Sequence, residues 1–284
     1  AGAPLVRADL VAHLGAASAS DRWGPLCERI PRYVAANATL MRTTTSGAED
    51  PKLVALPPHS AHGRYAIAFS SYPPASLVPG CHQAPRAVTQ MYVAADGEAA
   101  AAGEAAVGSR VGGPGCGWTR LHEKNWVAFT KGDQLYFVYS IFPHTVVVAR
   151  AADGLCVVRY STSSFAPMAA LAATAGLRLH GSGTAVRWGD DGASYLATFH
   201  TVSESGEYTS FAYTFDAEPP FAVTAVSRPL PLAGGARSFV SGLALKDDKV
   251  VVTYGYANRE SRALVMSRDY FAALWEAECG SGAE

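Results

Sequence analysis

The chain has no long apolar run, no close pair of cysteines and no excess of charge of either sign. Each absence excludes something. No stretch approaches the roughly 20 apolar residues of a membrane-spanning helix. Without a CxxC pair, and with His62, His82 and His122 at no ligand-like spacing, no structural zinc site or other metal centre is expected. A formal net charge of -1 argues against a nucleic-acid footprint, which shows as a basic patch or a high pI. No glycine-rich loop joins a strand to a helix, so neither a Rossmann nor a P-loop nucleotide site is expected, and no cofactor is implied. Charged residues make up only 17% of the chain beside 27 glycines and 17 prolines, which describes a turn-rich globular protein and not a disordered one. At 284 residues it has room for two domains or one large all-β domain.

Five cysteines are present, Cys27, Cys81, Cys116, Cys156 and Cys279. Cys81 and Cys116 flank a loop-like insertion and make the favoured disulfide pair, although connectivity is not a property of sequence. Asn37-Ala38-Thr39 is a glycosylation acceptor. The start, Ala1-Gly2-Ala3-Pro4, carries neither an initiator Met nor a basic-then-apolar leader and reads as a mature or trimmed end. Together these features point to the lumen of the secretory pathway or to a secreted protein.

One stretch organises the rest: Ser46-Gly47-Ala48-Glu49-Asp50-Pro51-Lys52-Leu53-Val54. Pro51 cannot continue a helix and biases Asp50 toward an extended backbone at the lip of a strand. On an extended chain the Asp50 carboxylate and the Lys52 ammonium project to one face. There the lysine sets the charge environment of an acid suited to proton transfer. The same residues also describe a solvated turn with an incidental ion pair.

Residues 1–33 hold a helical segment (Leu5, Leu10, Val11 and Leu14 near helical spacing) and lead into a short first blade with a strand over 34–42. Strand signals follow at Lys52–Leu56, Arg64–Tyr72 and Val88–Ala94. Residues 95–117 are rich in Ala and Gly and read as a low-complexity loop. The next block begins Glu123-Lys124-Asn125-Trp126, turns at Lys131-Gly132-Asp133, and runs to Phe142-Pro143-His144 at the end of a strongly apolar strand. A third opens at Gly181-Ser182-Gly183-Thr184, turns at Asp190-Asp191-Gly192 and has Tyr208–Phe215 as its outer strand. A fourth runs over 239–245, turns at Lys246-Asp247-Asp248 and resumes over 249–255; residues 268–277 close the chain as a helix. A polar cluster, a short apolar strand, a Gly/Asp turn and an aromatic strand recur at a spacing of roughly 60 to 75 residues, the grammar of a repeated β unit. It predicts an all-β propeller over residues 1–284, which gathers the polar clusters at one funnel. A β-sandwich would scatter them.

Over residues 34–275 the blocks resemble the five-bladed β-propeller carbohydrate-active enzymes, in particular the inverting β-mannoside phosphorylases and propeller mannosyltransferases. Glu49-Asp50-Pro51-Lys52 is similar to that family's Glu-Asp-Pro-Arg, whose Asp is the proton donor. Glu123-Lys124-Asn125-Trp126 resembles the block with Lys-Asp, whose Lys contacts phosphate or the glycan. Gly181-Ser182-Gly183-Thr184 with Phe199-His200 resembles the Gly-x-Gly turn and the Tyr-His-Gly strand end. Tyr254-Gly255-Tyr256-Ala257-Asn258 resembles Tyr-Gly-Ala-Ala-Asp. The departures are chemical. Lys52 in place of Arg loses bidentate recognition, while Asn125 and Asn258 each replace an Asp, with Glu260 available to substitute for the latter.

The resemblance implies Asp50 as the catalytic acid or base, with Glu260 as a second carboxylate. Glu49, Lys52, Arg86, Lys124, Asn125, His144, His200, Tyr254 and Asn258 form the substrate-binding set. Glu49 suits orienting Lys52 or a sugar hydroxyl, and Arg86 suits an anion. Trp126 suits stacking on a sugar or packing inside a blade. His144 suits a structural role as well as a ligand's, and His180 reads as structural. A carbohydrate substrate with phosphate or a nucleotide sugar as co-substrate, processed with inversion, is one expectation. A hydrolase in which Glu260 or Glu49 activates water is another. A catalytically inactive glycan-binding propeller is the third.

Overall fold

The computed structural model describes residues 49–57, 64–71, 90–95, 108–110, 124–149, 156–233, 237–257 and 259–275. They are mostly β-strand, in four sheets built from strands consecutive in the chain. The first sheet holds β1 (Glu49–Ala55), β2 (Tyr65–Ser71), β3 (Gln90–Ala95) and β4 (Gly108–Arg110); the second holds β5 (Val127–Lys131), β6 (Gln134–Ser140), β7 (His144–Ala149) and β8 (Cys156–Thr162). The third holds β9 (Arg178–Gly181), β10 (Val186–Trp188), β11 (Ser194–Val202), β12 (Tyr208–Asp216) and β13 (Val223–Pro229). The fourth is β14 (Ser238–Lys246), β15 (Lys249–Tyr256) and β16 (Glu260–Ser267). Every recorded pairing in the first, third and fourth sheets is antiparallel. Two short helices accompany them, α1 (Ala166–Ala173) and α2 (Arg268–Ala272).

The chain divides into two compact units. One takes Ala1–Asn125, Thr130–Tyr136 and Val147–Arg159; the other takes Trp126–Phe129, Phe137–Val146 and Tyr160–Glu284. In the first unit, β1 and β2 pair with Lys52, Val54, Leu56, Ala66 and Ala68 buried on one face, and with Leu53 and Ile67, directly opposite one another, exposed on the other. In the second unit β11 is buried along nearly its whole length, because both of its faces are covered. One face brings Tyr195 and Phe199 together with Phe211, Tyr213 and Phe215, and Phe129 and Phe221 pack into the same aromatic layer. The other face presents Leu196 and, from β12, Ala212 to Val240, Leu243, Val250, Val252 and Met266 of the fourth sheet.

The turns fall where the sequence puts them. Gly132 closes β5–β6 and Asp247 closes β14–β15, both at a φ of 54°, a region open to glycine and tolerated by Asp. Four expectations are corrected. Residues 95–117 are not all loop, since Gly108–Arg110 pairs with β3 through Tyr92 and Arg110; a short Ala/Gly-flanked segment becomes a strand because an open edge lies beside it. The strand beginning at Tyr208 is not the outer one, because β13 adds beyond it. His144 does not end an apolar strand but opens β7 after β6 has ended at Ser140. Helix α1, with Pro167 in its first turn where a missing N–H costs nothing, has no counterpart in the strand grammar. Helix α2 is the expected closing helix, capped by the Ser267 hydroxyl accepting from the Tyr270 N–H at 3.2 Å. The N-terminal segment over 1–33, the strand over 34–42 and the Cys81–Cys116 pair lie outside the described residues.

Candidate functional site

Asp50 and Lys52 sit on β1 in an arrangement the sequence does not suggest. Two residues of β1, Asp50 and Pro51, stand opposite one of β2, Phe69, between the Glu49–Ser70 and Lys52–Ala68 pairs. This is a β-bulge, which re-aims side chains at a strand end. Asp50 takes a φ of 51°, so the extended backbone expected of a residue before proline is overturned: the bulge supplies a left-handed turn that Asp tolerates better than most residues. Beyond the bulge the strand alternates so that Lys52, 2% exposed, faces inward while Leu53 faces solvent. Burial drives the Lys52 ammonium down to about 8, and the Asp50 charge opposes part of that drop. An inward lysine beside an outward leucine inverts the usual partition, and it leaves the Lys52 ammonium within electrostatic reach of the Asp50 charge.

The second cluster is built on the third sheet. The inner strand is broken: four residues, 182–185, stand opposite only Ala197 and Thr198 of β11, between the Gly181–Phe199 and Val186–Leu196 pairs. The Gly181-Ser182-Gly183-Thr184 motif forms this break, and all four residues are buried. It brings the Ser182 Oγ to 2.9 Å from Nδ1 of His200. His200, 1% exposed, lies between two rings, stacked on Tyr208 at 4.9 Å and on His180 at 5.5 Å, with Phe239 edge-on at 5.2 Å. Ser182 and Tyr208 escaped sequence reasoning. The motif itself was the available signal, because a buried break in a strand aims its side chains differently from a continuous strand.

A third grouping lies on the fourth sheet, where Tyr254 faces Arg262 and Tyr256 faces Glu260 across the strands. Arg262 is bound to Glu260 through Nε at 2.9 Å and Nη2 at 2.7 Å, and its guanidinium covers the Tyr256 ring at 3.8 Å. Hydrogen bonding to Glu260 raises the Arg262 pKa further. The Glu260 side chain is 55% exposed, a solvated ion pair on an outer strand and not a desolvated carboxylate.

The other candidates are dispersed. Lys124 is exposed, and Asn125 is half-buried with a φ of 63°. Trp126 is buried, edge-on to Phe137 and Tyr139 at 5.7 and 5.1 Å, so it packs and does not offer a face to a sugar. His144 is 1% exposed, 5.7 Å from the Tyr213 ring and 5.1 Å from Phe215. Among the described residues neither of its ring nitrogens meets a hydrogen-bond partner, and the buried Tyr213 hydroxyl has none either. Burial drives the His144 pKa down to about 4; the Phe221 backbone offsets part of this without reaching hydrogen-bond geometry. The backbone of Glu49 pairs with Ser70, and Arg86 and Asn258 lie outside the described residues. Among the described residues no group of three or more His, Cys, Asp or Glu gathers around a point where a metal ion would sit, and no helix is long and apolar enough to cross a membrane.

No protein-family model matches the chain, and no curated protein sequence matches it. Solved structures do. A β-1,2-mannobiose phosphorylase from Listeria innocua, in complex with β-1,2-mannobiose, is similar with a TM-score of 0.55 at 15% identity over 82% of this chain and 61% of its own. A glycosyl hydrolase from Bacteroides ovatus is similar with a TM-score of 0.48 at 14% identity over 78% of this chain and 66% of its own. A Trypanosoma rangeli sialidase in complex with the inhibitor DANA gives 0.45 at 12% identity over 80% and 37%. The chain thus spans about three fifths of the phosphorylase's length. At 15% identity that similarity establishes the fold and nothing about activity.

Proposed function

We propose that the chain is a carbohydrate-active enzyme on a five-bladed β-propeller. It would make or break a glycosidic bond with inversion, with Asp50 as the proton-transfer group and a mannose-like sugar as substrate. The observation that carries the reading is the bulge at Asp50–Pro51, which holds Asp50 at positive φ beside an inward-facing Lys52. Strained backbone and a buried, strongly perturbed titratable group together mark functional positions. The fold shared with a mannobiose phosphorylase supports the substrate class. A lysine next to the acid suits phosphate or the phosphates of a nucleotide sugar as co-substrate. Secretion is proposed with it, on the Asn37 sequon and the cysteines, and glycosylation at Asn37 is its test.

A second reading, a propeller that binds glycans without turnover, is favoured by one observation. Glu260, the other candidate carboxylate, is engaged by Arg262 on an exposed strand end and is not poised as a base.

The experiment is product detection after incubation with sugar phosphates, nucleotide sugars and β-linked oligosaccharides, wild type beside Asp50→Asn. Asparagine tolerates the left-handed backbone, so the variant isolates the carboxylate. Turnover lost in the variant supports the assignment, and the donor consumed distinguishes phosphorolysis, transfer and hydrolysis. Turnover that survives removes Asp50 from the chemistry. Glycan binding without turnover in either protein selects the second reading.

A further inference from the structure

We propose that Ser182 is a positioning residue for His200, holding its imidazole as the neutral tautomer with the proton on Nε2. The argument is one of hydrogen-bond satisfaction. Ser182 is fully buried, and its Oγ lies 2.9 Å from Nδ1 of His200. Among the described residues that hydroxyl has no other acceptor. If Nδ1 carried a proton and donated it, the Ser182 O–H would be buried with no described residue to accept it, an arrangement folded proteins avoid. The satisfied arrangement has Ser182 donating to an unprotonated Nδ1, and a neutral imidazole then carries its hydrogen on Nε2. The imidazolium is disfavoured for the same reason.

The ring cannot readily turn to evade this. His180 and Tyr208 cover its two faces and Phe239 meets its edge. Ser182 is itself anchored: its N–H donates to the Thr198 carbonyl at 3.0 Å, and the next residue, Gly183, lies against the Gly242 backbone. With Nδ1 occupied by the Ser182 O–H, His200 does not serve as a general base through that atom in the proposed reaction. That last step rests on the glycosyl-transfer reading; the tautomer does not.

The test is a two-bond 1H–15N spectrum of the full chain, labelled with 15N-histidine, at neutral pH and without ligand. The His200 signals are assigned by their loss in His200→Gln. A pyridine-like Nδ1 and a pyrrole-like Nε2 are expected. Ser182→Ala is expected to shift His200 to a mixture of tautomers, and Ser182→Thr, which keeps the hydroxyl, to restore the wild-type pattern. A protonated Nδ1 in the wild type, or a Ser182→Ala spectrum identical to wild type, overturns the proposal. If Ser182→Ala does not fold, the wild-type spectrum decides alone. Because no ligand is present, failure here is distinct from failure to find glycosyl transfer.

Discussion

Gly183 and Gly242 approach one another backbone to backbone: a Cβ on Gly183 would stand 3.3 Å from the Gly242 Cα. The two glycines lie at matched irregularities, the break between β9 and β10 and the register shift of β14 between Val240 and Gly242. Their contact holds the segment that carries Ser182.

The two glycines respond differently to substitution. A Cβ on Gly242 would sit 2.6 Å from the Thr253 Oγ1, a side-chain atom, so Gly242→Ala is expected to destabilise by about 1–3 kcal/mol. Thr253→Ala should recover most of that loss in a double-mutant cycle by urea unfolding. Gly183→Ala meets backbone and should not be recovered by Thr253→Ala. Equal rescue of both variants would contradict the assignment of contacts.

His144 is expected to make the fold acid-sensitive. Its pKa falls from 6.5 unfolded to about 4 folded, so the unfolded chain binds the proton more tightly. Stability from this group is complete above pH 6.5 and is lost as pH falls through about 4, a total of about 3 kcal/mol. His144→Phe, which keeps a ring in the aromatic cage, should flatten that limb of the stability–pH curve. An unchanged limb in the variant would assign the acid sensitivity elsewhere.

Lys52 works at the other end of the scale. Its pKa falls from 10.5 to about 8, so the charged lysine costs stability at neutral pH and the cost is relieved between about pH 8 and 10.5. Lys52→Met is expected to raise stability at pH 7 by up to about 3 kcal/mol, with the gain vanishing above pH 10.5. A gain independent of pH would mean that packing, not charge burial, separates the two proteins. If Lys52 serves the proposed reaction, the same variant loses activity while gaining stability.

Glu260→Gln should leave stability unchanged, because its partner Arg262 is solvent-exposed and such pairs contribute little. Thermal unfolding at low and high salt checks this. A clear loss at both ionic strengths would show that the Arg262–Tyr256 stack depends on the carboxylate.

Strand positions and turns were legible from residues alone, because both rest on local properties. Gly132, Asp247 and Gly192 adopt positive φ where the sequence marks turns, and the aromatic runs around them became β6, β11 and β15. Asp50 was legible as a candidate too, but its conformation was not. The preference of a residue before proline is local, and the bulge that overrides it comes from pairing with β2. Periodicity likewise could not show that β13 lies outside β12, since several alternating strands read alike wherever they stand in a sheet.

The sequence by itself determined the all-β class, the turn positions and the chemical candidates, because backbone preference and side-chain pattern act over a few residues. Only the tertiary structure decided which candidates are buried and what they touch. The inward turn of Lys52, the Ser182–His200 bond across 18 positions and the cage of Tyr213 and Phe215 around His144 all depend on strand pairing and sheet packing. Burial and partners, not residue type, set the surroundings of each of these groups, and both arise from contacts between residues far apart in the chain.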